Sequence, residues 1–170
     1  MKRQNFTILF ILLLVCQMVL YSYFQFTPLV TVSVLAVMIL CVPLTVGTPL
    51  CMLIAMVSGL TVDFISEGFI GLNAASLIPV AFARKGIISI FLGKDLIVRK
   101  DAFTYKKEGA LKISGSVLTA QAIFFLFYIT FDGVNARGLA FNTVHFFASL
   151  LVSAILSLLV VKILTPDEKR

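Results

Sequence analysis

The stretch Gly59-Leu60-Thr61-Val62-Asp63-Phe64-Ile65-Ser66-Glu67-Gly68-Phe69-Ile70-Gly71-Leu72-Asn73 sets two carboxylates, three glycines and an asparagine into a chain that is otherwise mostly hydrocarbon. Hydrophobic residues make up 60% of the 170 positions, and the mean hydropathy is +1.08. In such a chain an ionised carboxylate at the bilayer centre costs roughly 2.5–3.5 kcal/mol on insertion scales. The stretch therefore marks either a turn or a site. It joins two apolar segments, Leu50–Val62 and Phe69–Ala83, each shorter than the roughly 20 residues a transmembrane helix needs, and the second carries Pro79. Residues 50–83 are thus expected either to cross a thin membrane twice or to form one re-entrant hairpin.

Working outward, charged residues make up 13% of the chain, about half the usual soluble share of roughly 25%. They fall into short clusters between apolar runs. Phe6–Phe24, Ile113–Phe131 and Leu139–Leu164 are long enough to span, and Leu29–Leu44 is slightly short. Pro43 and Pro49 bracket a turn containing Gly47. No small-residue cleavage site follows the first run, which reads as an uncleaved span. The expectation is an all-α integral membrane protein of six transmembrane segments, the third and fourth short, in one polytopic domain over residues 1–170.

Charge sets the orientation. With six segments, Lys2, Arg3, Arg84, Lys85, Lys94, Arg99, Lys100, Lys106, Lys107, Lys112, Lys162, Lys169 and Arg170 share one side, and Arg137 lies opposite. The positive-inside rule then places both termini in the cytoplasm. The same rule explains a sequence pI near 9.4 without nucleic acid as a partner. Residues 86–112 form a basic cytoplasmic connection in which Ile90, Phe91, Leu96, Ile97 and Phe103 alternate with charges. It reads as a surface-lying loop that enforces topology or as a contact for a cytoplasmic partner.

Cys51, Ala55, Gly59 and Asp63 recur at intervals of four, a small-residue stripe that ends on a carboxylate; Ser149, Ser153 and Ser157 form a second. Such stripes let helices approach closely, within the chain or against a partner. Asp63 stands at a helix C-terminal end, where the macrodipole disfavours negative charge, so something else must hold it. Capping of the next segment together with Ser66, solvation at the outer interface and pairing with Arg137 are the alternatives. Gln17, Gln121, Asn142 and His145 are polar residues inside apolar spans, and interhelical hydrogen bonding suits them better than a proton relay, which uses chains of Asp, Glu and His. No HExxH, Gly-x-Ser-x-Gly or phosphate-cradling glycine loop occurs. Cys16, Cys41 and Cys51 lack ligand spacing. The reading is non-enzymatic, with no catalytic residue, metal or cofactor expected.

The run Gly59-Leu-Thr-Val-Asp63, then Gly68-Phe-Ile-Gly71-Leu-Asn73-Ala-Ala, closing on Arg84, resembles the central signature of the MreD family, rod shape-determining membrane proteins of bacteria. Length, span count and the basic connection agree with the resemblance over the whole chain. It implies a scaffold subunit of the cell-elongation machinery in the bacterial inner membrane, associated with MreC, the MreB filament, the RodA glycosyltransferase and its transpeptidase. It also implies a fold like the S components of energy-coupling-factor vitamin transporters. Gly59, Asp63, Gly68, Gly71 and Asn73 are the matching motif positions, with Ala55 and Arg84 as further packing candidates. The competing reading is a small-molecule transport subunit of the S-component type. Against it, Phe6–Phe24 contains no alanine, whereas S components typically place alanines there at intervals of four. A membrane enzyme with an unfamiliar site at Asp63 and Glu67 is a third option without positive support. Single cysteines placed from Asp63 to Gly71 in an otherwise cysteine-free chain separate the two topologies of residues 50–83. In intact cells an impermeant maleimide labels them from outside if both segments cross, and leaves them protected in a re-entrant hairpin.

Overall fold

A computed structural model describes residues 6–23, 30–65, 70–93, 109–133 and 138–164. These form six helices: α1 (Phe6–Tyr23), α2 (Leu35–Leu40), α3 (Thr48–Ile65), α4 (Leu72–Phe91), α5 (Ala110–Gly133) and α6 (Leu139–Leu164). No strand occurs among the described residues. Helices α3 to α6 each contain a stretch long and apolar enough to cross a membrane, and α1 carries a shorter apolar stretch, Thr7–Tyr21.

The third and fourth segments are longer than the sequence suggests. Helix α3 has 18 residues and α4 has 20, about 27 and 30 Å at 1.5 Å per residue. The charged stretch looked like a long interruption because α3 carries Asp63 inside its last turn, and α4 runs on past Pro79, Arg84 and Lys85 to Phe91. The proline is accommodated, as prolines in transmembrane helices often are. Residues 86–91 consequently belong to α4 and 110–112 to α5, so the expected connection over 86–112 contracts to the part between them; 94–108 lie outside the described residues.

The short segment is instead the second. Among the described residues of this segment, 30–44, helix is confined to the six residues of α2, and Val30-Thr31-Val32-Ser33-Val34 precede it in non-helical conformation. Three valines and a threonine in five residues are stiff at χ1 and favour extended backbone. At the other end Pro43 disfavours helical geometry at Val42 and stops the helix. Every residue of α2 is at most 1% exposed, so this fragment is enclosed on all sides by the longer helices.

Polar groups are buried within an apolar core while large apolar side chains face outward. Gln17, Asp63, Asn73, Arg84, Gln121, His145, Ser149, Ser153 and Ser157 are buried. Ile8, Leu12, Val15 and Val19 of α1, Leu50, Leu53, Val57 and Phe64 of α3, and Leu151, Ile155 and Leu159 of α6 are exposed. Hydrocarbon outside and hydrogen-bonding groups inside is the arrangement lipid selects, because apolar contact alone does not distinguish helix from lipid.

The tightest approach joins α3 to α4. A Cβ placed on Gly59 would collide with the backbone of Asn73 and Ala74, so only glycine lets the two helices meet there. Cys51, Ala55, Gly59 and Asp63 are all buried, and Cys51, Gly59 and Asp63 each meet a residue of α4. Replacing Gly59 by valine forces these helices apart and is expected to cost about 2 kcal/mol or more. A lowered unfolding midpoint in detergent checks this; valine at exposed Gly86 is the control, since a Cβ there meets nothing within 4 Å.

Candidate functional site

Asp63 is 3% exposed, and its carboxylate faces the first turn of α4. Oδ2 accepts the backbone N–H groups of Gly71 (3.0 Å) and Ala74 (3.3 Å), while Oδ1 accepts the backbone N–H of Asn73 (3.1 Å) and its side-chain Nδ2 (2.8 Å). A helix N-terminus leaves its first N–H groups without intrahelical partners, and the macrodipole is positive there. Asp63 answers both needs from the preceding helix. The N-cap of α4 is Gly71, which has no side chain for the task and adopts φ of 99°, a left-handed conformation that glycine tolerates without strain. Three of the sequence candidates thus converge: Asp63 accepts, Gly71 turns the chain, and Asn73 adds a side-chain donor. Gly59 sits one turn earlier and sets the helix spacing that makes these distances possible. Of the three alternatives for Asp63, the geometry is that of a cap on the following segment, made by Asp63 itself. Ser66, Glu67, Gly68 and Arg137 lie outside the described residues.

The sequence groups Arg84 with the cations of the basic connection; its side chain lies instead in the protein interior, 1% exposed. Its Nε donates to the carbonyl of Leu40 (3.2 Å), one terminal nitrogen donates to the carbonyl of Val42, and the other approaches Cys51 Sγ at 3.8 Å. Leu40 is the last residue of α2 and Val42 lies just beyond it, so these carbonyls stand where the helix no longer supplies partners and where its dipole is negative. A guanidinium, with five donors in a planar fork, matches such a cluster of carbonyls. Ala55 is fully buried on α3, one turn from Gly59.

A second constellation surrounds residues 30–34. Gln17 of α1 donates through Nε2 to the carbonyl of Val32 (3.1 Å) and accepts the N–H of Val34 through Oε1 (2.9 Å). From α6, Ser149 Oγ accepts the N–H of Thr31 (2.9 Å), Ser153 Oγ accepts the N–H of Ser33 (3.0 Å), and His145 Nε2 meets Thr31 Oγ1 (3.0 Å). Gln121 of α5 donates through Nε2 to the carbonyl of Ser33 (2.8 Å) and to Ser157 Oγ (2.5 Å). His145, Ser149, Ser153 and Ser157, spaced by four, therefore form one polar rail down the inner face of α6: Ser149 and Ser153 bond the main chain of the segment, His145 bonds the Thr31 hydroxyl, and Ser157 bonds Gln121. Asn142 does not join it; its Nδ2 is buried and has no hydrogen-bond partner among the described residues, as is the case for Gln121 Oε1. The signal that could have revealed the rail's target is the strict alternation Val30-Thr31-Val32-Ser33-Val34, a period-two pattern inside a run read as helix.

No family model, curated protein or solved structure matches this chain. No group of three potential metal ligands occurs among the described residues.

The cap carries a testable consequence. Asp63→Asn keeps one acceptor but turns an amide donor toward N–H groups, and Asp63→Ala removes all four bonds. The expected losses are about 1–3 kcal/mol for the asparagine and more for the alanine. Chemical unfolding in detergent, with the helix content of α4 followed by hydrogen exchange, measures both.

Proposed function

We propose that this protein is a non-enzymatic scaffold of the bacterial cell-elongation complex, seated as a multi-pass protein in the cytoplasmic membrane. It acts by presenting fixed helix faces to an MreC-like partner and, through it, to the MreB filament, the RodA glycosyltransferase and its transpeptidase. The resemblance of Gly59–Asp63, Gly68–Asn73 and Arg84 to the MreD signature motivates the reading. The observation that carries it is the use those residues have. Gly59, Asp63, Gly71, Asn73 and Arg84 are spent on the mutual placement of α2, α3 and α4, which suits a protein whose output is shape. The exposed apolar faces of α1 and α3 are the surfaces such a protein offers within the bilayer.

The competing transport reading, with a fold like that of S components, needs an interior that can receive a ligand. Here the polar side chains of α1, α5 and α6 bond the chain's own backbone at residues 30–34, which favours the scaffold. Tagged protein extracted in mild detergent is expected to retain an MreC-like, single-span partner, and depletion is expected to round rod-shaped cells. Retention of an ATPase and a coupling subunit instead would support transport. Asp63→Asn that accumulates normally yet fails to restore cell shape would point to a partner contact at the turn, whereas loss of the protein itself points to the cap.

A further inference from the structure

We propose that residues 30–42 are a releasable element of the core, docked by polar anchors at its two ends, with α1 as its cover. Residues 30–34 are held through Gln17, Gln121, Ser149 and Ser153, and the end of α2 is held through Arg84. Between these anchors lie the apolar side chains of Leu35–Leu40. In water their burial would fasten the element; in a bilayer it does not, because lipid receives Leu, Ile and Val as readily as a helix bundle does. The balance between docked and released states therefore rests on close packing and on the anchors, and the anchors are the part a single substitution can remove. The released state has a self-satisfied form available: α2 extended backward over residues 30–34, which moves their main-chain hydrogen bonds from side chains into a helix. Six helical residues alone are too few to persist without packing, so docking and helix length are linked.

The route is set by α1. A groove of about 450 Å³ already separates α1 from α3, lined by Phe10, Leu14, Leu50, Ile54, Val57 and Ser58. Gln17 is the residue of α1 that makes two bonds to the docked segment, so outward movement of α1 removes those two bonds and weakens the upper anchor, leaving the bonds from Gln121, Ser149 and Ser153 to hold it.

Hydrogen–deuterium exchange on the full chain in nanodiscs tests this without altering the protein. Amides of residues 34–42 are expected to exchange as a group, about tenfold or more faster than those of residues 77–88 in α4. Gln17→Leu, which removes two bonds at the lipid-side helix and leaves α3 to α6 intact, is expected to raise exchange at 34–42 by a further tenfold or so and leave 77–88 unchanged. Arg84→Gln is expected to do the same from the other end; if it does not fold, the wild-type and Gln17→Leu comparisons still decide. Equal exchange in the two regions, or a Gln17→Leu effect that is absent or shared equally by α4, overturns the proposal.

Discussion

Five residues of non-helical backbone lie inside this protein, and α1, α5 and α6 are arranged around that fact. An amide or carbonyl without a partner costs several kcal/mol in a medium that cannot hydrogen-bond, which is why membrane segments are almost always helical. Residues 30–34 escape the rule because α1, α5 and α6 each bring a short polar side chain to the right depth. Two glutamines supply donors to carbonyls, and two serines accept from N–H groups. Gln17, Gln121, Ser149 and Ser153, scattered through three apolar helices, are thus parts of one device that satisfies this segment.

The two buried charges obey a related logic. Asp63 and Arg84 do not serve each other; each addresses the exposed end of a helix. The carboxylate meets the N-terminal N–H groups of α4, and the guanidinium meets the carbonyl of Leu40 at the C-terminus of α2 and that of Val42 just beyond it. Helix ends are where a continuous helix fails to satisfy its own backbone, and a chain that starts and stops helices within the membrane must supply these groups from elsewhere. Both charges are carried on the closely packed α3–α4 pair. Gly59 at the crossing point is the condition for both, since it fixes how near the two helices stand.

How much of this could be read from the sequence depends on distance along the chain. The extents of α1, α5 and α6 follow from continuous apolar runs of about twenty residues and agree with the expected spans to within a few positions. The turn near Asp63 was legible too, because a carboxylate and glycines interrupt hydrocarbon. What Asp63 bonds to was not, since its acceptors face amides eight to eleven residues away, and capping rules are local. Arg84 was misplaced for the opposite reason: its neighbour Lys85 and the cations beyond it made a basic cluster, and nothing local says that one side chain of a cluster turns inward. The break before α2 was hidden by composition. Valine is apolar, so Val30, Val32 and Val34 lengthened a hydrophobic run while their alternation with Thr31 and Ser33 shortened the helix within it. The serines of α6 were visible as a stripe, but a stripe does not say whether it meets a helix or a strand-like segment.

The mixed geometry of the second segment also alters how far the chain travels per residue. A helical residue advances about 1.5 Å, whereas an extended one advances about 3.3 Å. Where residues 30–34 are extended each advances about twice as far as it would in a helix, so residues 30–40 reach roughly 25 Å instead of the roughly 16 Å of a continuous helix before the chain turns at Pro43. Rules that count apolar residues assume one rise throughout and will undercount any span of this kind. The reach is obtained only where three neighbouring helices have polar side chains in register, which ties the length of one segment to the chemistry of residues more than a hundred positions away.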